Sequence, residues 1–195
     1  MKELDIKIGY NCNNNCLFCL NKDKRGFDHN LLNLKNQIKK SADAGCEKII
    51  ISGGEPLIYD SFFEILNFAK FNGIRFCEIQ TNGRMLSYDD FVKEIKNIFE
   101  DASFLVSFHY PDAEMYKKYS RSDGFRQVLK GLNNLKNHKL KVTTNTVLFK
   151  GNYMELPKIV DILDKYGCDS IQFRFIDGRN VFDQFHDFVP KMKES

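Results

Sequence analysis

The chain has no tryptophan. It has no apolar run approaching the ~20 residues that a membrane span needs. It has little charge imbalance: 29 Lys and Arg against 26 Asp and Glu leave +3 over 195 residues. So small a charge gives no ground for a nucleic-acid partner, and no membrane partner is expected. The N-terminal MKELDIKIGY alternates apolar and charged residues and has no signal-peptide h-region. The expected compartment is the cytoplasm, where thiols stay reduced. Six cysteines there read as metal ligands or buried apolar residues rather than as disulfides. A low-complexity linker is also missing. The length suits one substantial core and is short for two. A single domain over residues 1–195 is therefore expected, with 43% hydrophobic and 28% charged residues as in an ordinary globular protein.

What is present is a strict alternation of two periods. Short β-like runs fall at residues 4–8, 48–52, 75–80, 103–108, 141–149 and 170–176. Helical stripes separate them: Leu31, Leu34, Ile38; Phe62, Ile65, Leu66; Phe91, Val92, Ile95; Val128, Leu132, Leu135; and Leu156, Ile159, Leu163. Glycines such as Gly73 and Gly167 stop the helices. Alternation of this kind predicts parallel strands with right-handed crossovers. Gln80, Ser107, Thr144, Asn145, Gln172 and Arg174 place polar groups inside the strands. A sheet buried on both faces prefers continuous apolar runs. The expected fold is therefore α/β, a partial (β/α)6 TIM-like barrel of parallel strands with a polar interior. It spans about residues 4–178, and a tail over 179–195 carries a weak helical stripe.

Three cysteines crowd the loop after the first strand: Cys12, Cys16 and Cys19, in CNNNCLFC. Three close thiolates can hold three corners of a cubane iron–sulfur cluster and leave the fourth iron open. A Cys3His zinc site completed by His29 is the structural alternative. The intervening asparagines argue against simple buried thiols. One unit later Gly53-Gly54-Glu55-Pro56 ends the second strand, and on its own it reads as a tight turn. Cys46, Cys77 and Cys168 stand singly and read as core thiols. Residues 130–141 are basic, but their apolar positions fall at helical spacing, as on a solvated helix face.

CNNNCLFC resembles the cluster signature of the radical S-adenosylmethionine (radical SAM) enzymes, Cys-x3-Cys-x-aromatic-Cys, with Phe18 in the aromatic place. The resemblance implies one [4Fe-4S] cluster on Cys12, Cys16 and Cys19, SAM on its open iron, and a 5′-deoxyadenosyl radical that abstracts hydrogen from substrate. It places Phe18 near the adenine, and Gly53, Gly54, Glu55 and Pro56 around the SAM methionine. In that role the glycines admit a ligand close to the backbone, and backbone carbonyls and the Glu55 carboxylate accept from an ammonium group. Asn82 in Thr81-Asn82-Gly83, Ser107, Arg121 and Asn145 are similar to further family contacts, with Arg121 on the SAM carboxylate. His109 stands where peptide-modifying relatives carry aspartate. It is either a group that reaches substrate or carries protons, or a polar cap on the barrel mouth. Asp177-Gly178-Arg179 is a ligand contact or a plain turn.

Asn145-Thr146-Val147 resembles members that modify peptides and proteins, which makes a peptide or protein the first candidate substrate. It would enter near Gln80, Asn82, His109, Asn145 and Arg174. The cysteine-rich C-terminal extension of those members is not seen. Glycyl-radical activation of another enzyme is a further reading, and a non-catalytic iron–sulfur or SAM-binding subunit or sensor is the competing one. A flavodoxin or ferredoxin is the implied electron donor.

Overall fold

A computed structural model describes residues 1–175. The expectations for residues 176–195, the Asp177-Gly178-Arg179 turn and the tail among them, lie outside the described residues. Six strands, β1 (Lys2–Lys7), β2 (Cys46–Ser52), β3 (Phe76–Thr81), β4 (Ser103–Ser107), β5 (Lys141–Leu148) and β6 (Ser170–Phe175), form one sheet in the order β1-β2-β3-β4-β5-β6. Every neighbouring pair is parallel. Each strand is thus added on the same side of the last, as in a TIM barrel. Among the described residues β1 and β6 are the two edges, so the sheet is an open partial barrel, as the alternation predicts. Among the described residues no helix is long and apolar enough to cross a membrane.

The strand pattern explains the curvature. In β4, Phe104 and Val106 are buried under the helices, and Ser103, Leu105 and Ser107 are only partly covered. In β5, Val142, Thr144 and Thr146 are buried and alternate with Thr143, Asn145 and Val147. One face packs the apolar core against helices and the other turns polar groups into the barrel. Cys46 and Cys77 are buried and Cys168 is partly buried, as core thiols.

Helices α1 (Leu31–Asp43), α2 (Phe62–Phe71) and α3 (Asp89–Ile98) join the first four strands, and α6 (Leu156–Lys165) joins β5 to β6. Between β4 and β5 the sequence gives one stripe, and the structure has two helices, α4 (Ala113–Ser120) and α5 (Phe125–Asn137). α4 has eight residues and buries only Tyr116, Tyr119 and Ser120, too few to show a period. Asp112 caps it by accepting a bond from Met115 N.

Candidate active site

Strand ends and the loops after them meet at the C-terminal face of the sheet, around a cavity of about 380 Å³. The loop between β1 and α1 carries the three cysteines, and all three line this cavity. Among the described residues no set of three His, Cys, Asp or Glu side chains, the three cysteines included, stands close enough to hold a metal ion as placed. His29 lies edge-on to Phe27.

The cysteine loop is laced on three sides. From β2, Gly54 N donates to Gly9 O at 2.9 Å and Glu55 N to Asn11 O at 2.8 Å. From the end of α4, Ser120 O accepts from Asn15 N and Tyr119 O from Leu17 N. From below, Arg84 donates to Asn13 O and to Asn14 Oδ1, and its Nε reaches Gln127 on α5. Asn14, 5% exposed, is the hub. Its side chain also meets Tyr116 and Ser122, and its carbonyl accepts from Arg25. Asn14, Arg25, Arg84 and Tyr110 carry no sequence signal, because their partners are remote in the chain.

The glycine pair turns out to serve this loop. A Cβ on Gly53 would stand 2.2 Å from Gly9 O, and one on Gly54 would stand 2.3 Å from Asn11 O. The space that glycine leaves is filled by the backbone under the cysteines, not held open for a ligand. Gly53 and Gly54 still border the cavity on their other side.

Glu55 is placed differently from the expectation of a ligand contact. Its carboxylate is 2% exposed and does not line the main cavity. Both oxygens are taken by protein donors: Thr81 Oγ1 at 2.6 Å and Leu57 N on Oε1, and Asn82 N at 2.6 Å on Oε2. It ties the end of β2 to the end of β3. Pro56 starts a buried turn behind it. Arg121 is also away from the cavity, because it closes α4 in the left-handed conformation at φ 51° and its side chain is exposed. Phe18, Asn82, Ser107, His109 and Asn145 do reach the cavity, as does Gln80. Arg174 sits exposed on the edge strand β6 and does not line it.

His109 is buried, and Phe18 packs against its ring at 5.3 Å between centroids. Its Nδ1 accepts from Val147 N at 3.1 Å. Burial pushes the imidazole down to about 4, so at neutral pH the ring is uncharged and Nε2 carries the one proton. Burial pushes Glu55 the other way, up to about 7, against the pull of its three donors.

The two shifts have opposite consequences for stability. The folded chain keeps the Glu55 proton longer than the unfolded chain, so this group's contribution is full below pH 4.5 and declines as the pH rises to about 7. His109 contributes fully above pH 6.5, and its share is lost as the pH falls toward about 4. In a His109→Asn chain, Tm should fall from pH 4.5 to 7. In a Glu55→Gln chain it should rise over the same range. Parallel Tm–pH profiles for the two variants would refute the assignment.

Four buried side-chain polar atoms among the described residues have no hydrogen-bond partner: Arg25 Nε, Tyr110 Oη, Asn145 Oδ1 and Thr144 Oγ1. Each such atom costs about 1–3 kcal/mol while it stays unpartnered, and the first three of them sit in side chains that border the cavity. The thiols fit a cationic guest. Burial pushes Cys12 up, and burial with the neighbouring Cys12 and Cys19 pushes Cys16 up to about 12. Thiolates there need metal charge beside them.

The chain resembles known proteins in sequence and in fold. A family model described as the Radical SAM superfamily matches residues 6–163. A GTP 3',8-cyclase of Campylobacter jejuni is 31% identical over 182 residues, covering 89% of this chain and 55% of the relative. A probable GTP 3',8-cyclase of Metallosphaera sedula is 23% identical over 207 residues, covering 100% of the chain and 62% of the relative. The chain thus spans little more than half the length of these relatives. Streptococcus suis SuiB bound to S-adenosylmethionine superposes with a TM-score of 0.72 at 20% identity, covering 90% of this chain and 39% of that one. anSMEcpe with bound AdoMet gives 0.74 at 18% identity, covering 91% and 52%.

Proposed function

The chain belongs to the radical SAM superfamily, and from that premise we propose that it is an enzyme whose Cys12, Cys16 and Cys19 hold one [4Fe-4S] cluster next to S-adenosylmethionine. Residues 1–195 are read as a single core domain. The observation that carries the reading is the meeting of Cys12, Cys16 and Cys19 on one cavity, with the Arg25, Ser107, His109 and Asn145 side chains around them. When bound, the cluster and SAM supply the electron and the 5′-deoxyadenosyl radical that abstracts hydrogen from substrate.

The chain's own residues bind and orient. Gly53 and Ser107, which line the cavity, would hold the SAM methionine. Among the described lining residues Arg25 is the one lasting cation, so the SAM carboxylate is assigned to Arg25 instead of Arg121. Phe18 and His109 form an aromatic wall for the adenine, with His109 Nε2 as a donor. Asn145 Oδ1 accepts from a hydroxyl or amine of the ligand. The electron arrives from a one-electron carrier such as a flavodoxin or ferredoxin.

The relatives' names make a purine nucleotide the first substrate to assay. The single cation on the described cavity wall is too few for a triphosphate, so GTP would need basic groups beyond these residues. A peptide substrate is supported by the similarity of Asn145-Thr146-Val147, with Asn152 and Glu155-Leu156 beyond it, and by the likeness in fold to SuiB, which is described bound to its precursor peptide SuiA. The test is anaerobic reconstitution with iron and sulfide, addition of SAM and dithionite with and without GTP, and detection of 5′-deoxyadenosine. Formation by the native chain, but not by a Cys12/Cys16/Cys19→Ala chain, is expected. A loaded cluster with no 5′-deoxyadenosine would favour a non-catalytic SAM-binding subunit.

A further inference from the structure

Cys12 differs from the other two cysteines in what its sulfur touches. Asn14 N donates to Cys12 Sγ at 3.4 Å, and Asn82 Nδ2 lies 3.8 Å from the same atom. Among the described residues no side-chain N–H reaches the sulfur of Cys16 or Cys19.

Asn82 is held so that its amide has one orientation. Its backbone N donates to Glu55 Oε2 at 2.6 Å. Its Oδ1 accepts from Arg84 N at 3.1 Å. A backbone N–H can only donate, so this bond identifies the oxygen and leaves Nδ2 on the opposite side. Nδ2 has two hydrogens. One meets Asn13 Oδ1 at 2.7 Å, and the other faces Cys12 Sγ. The buried Glu55 carboxylate, the turn at Arg84 and the cysteine loop together lock one N–H onto one sulfur across 70 residues of sequence.

We propose that Asn82 is a positioning residue for electron transfer: its fixed N–H bond to Cys12 Sγ raises the reduction potential of the cluster. The proposal rests on the cluster assignment made above and goes beyond it, because nothing in that assignment gives Asn82 a redox role. The step concerned adds one electron from an external reductant and takes the cluster from the 2+ to the 1+ state. No proton moves and no bond breaks. The added charge spreads over iron and sulfur, and an N–H dipole at a cysteine sulfur stabilises it. Asn82 thereby makes the cluster easier to reduce by its donor.

The experiment is an EPR-monitored reductive titration of the full reconstituted chain without SAM, using dithionite and mediators. The native chain is compared with Asn82→Ala and Asn82→Leu, the second keeping the bulk. Iron and sulfide per chain should match the native values in at least one variant. Its equilibrium constant for reduction should fall about tenfold, which is about 59 mV for a one-electron couple. In deuterium oxide the native Fe–S(Cys) Raman bands should shift, and the shift should shrink in the variant. A loaded variant with the native midpoint and the native isotope shift overturns the proposal. So does failure of both variants to load while the native chain loads, since Asn82 would then be structural. A native chain that loads no cluster overturns the functional reading itself, and the two failures are told apart by iron content alone.

Discussion

A Cys16→Ala chain, reconstituted without oxygen, should retain only background iron, and 5′-deoxyadenosine formation should fall by about a thousandfold or more. Loss of a supporting group around a metal site costs about 10–100-fold, and a direct ligand is worth more. Cys16 is the most informative of the three. Burial and the flanking thiols push its pKa up to about 12, so at neutral pH it keeps its proton until iron replaces it. Cluster assembly should therefore release protons in the native chain and release fewer in the variant. Cys168, partly exposed before β6, supplies the control, and Cys168→Ser should load and react as the native chain does. Native iron content in Cys16→Ala would remove the thiol from the ligand set.

Gly54→Ala should be strongly damaging although it touches no cysteine. The added Cβ would stand 2.3 Å from Asn11 O and 2.5 Å from Tyr10 O. Both atoms are backbone, so no side chain can swing aside, and the loop leading into Cys12 must move. Overpacking of this kind costs about 1–3 kcal/mol, or roughly 2–4 °C of Tm per kcal/mol in a chain of this size. The larger effect should be on loading, with cluster occupancy at limiting iron down about tenfold or more, since a displaced ligand loop loses far more than its strain energy. Gly45→Ala separates the two effects. Gly45 has φ 81° and open space around it, so alanine there costs about 1 kcal/mol of backbone strain and should leave loading unchanged. Equal iron content in Gly54→Ala and native chains would show that the close approach at Gly54 has no bearing on the site.

The elements that were legible are those whose cause is local. Strand and helix stripes repeat within ten residues, and Cys12, Cys16 and Cys19 sit within eight. The polar residues spaced by two along β5 announce an interior that is not apolar. The resemblance to the radical SAM signature rests on the same short runs. α4 escaped because its buried face is three residues.

The sequence alone determined the parallel alternating architecture, the open barrel and the three-cysteine loop, because each depends on neighbours close in the chain. Tertiary structure decided what the second motif does. Gly53 and Gly54 accommodate the cysteine loop, and Glu55 braces β3 instead of facing the cavity. It also decided that Arg25 meets the cavity while Arg121 points away, and that Asn82 aims its amide at Cys12. These outcomes depend on contacts such as Asn82 to Cys12, 70 residues apart, and Asn14 to Tyr116, 102 residues apart. No period or spacing encodes such pairs. They exist only once the sheet has brought the ends of β1, β2 and β3 and the close of α4 to one face.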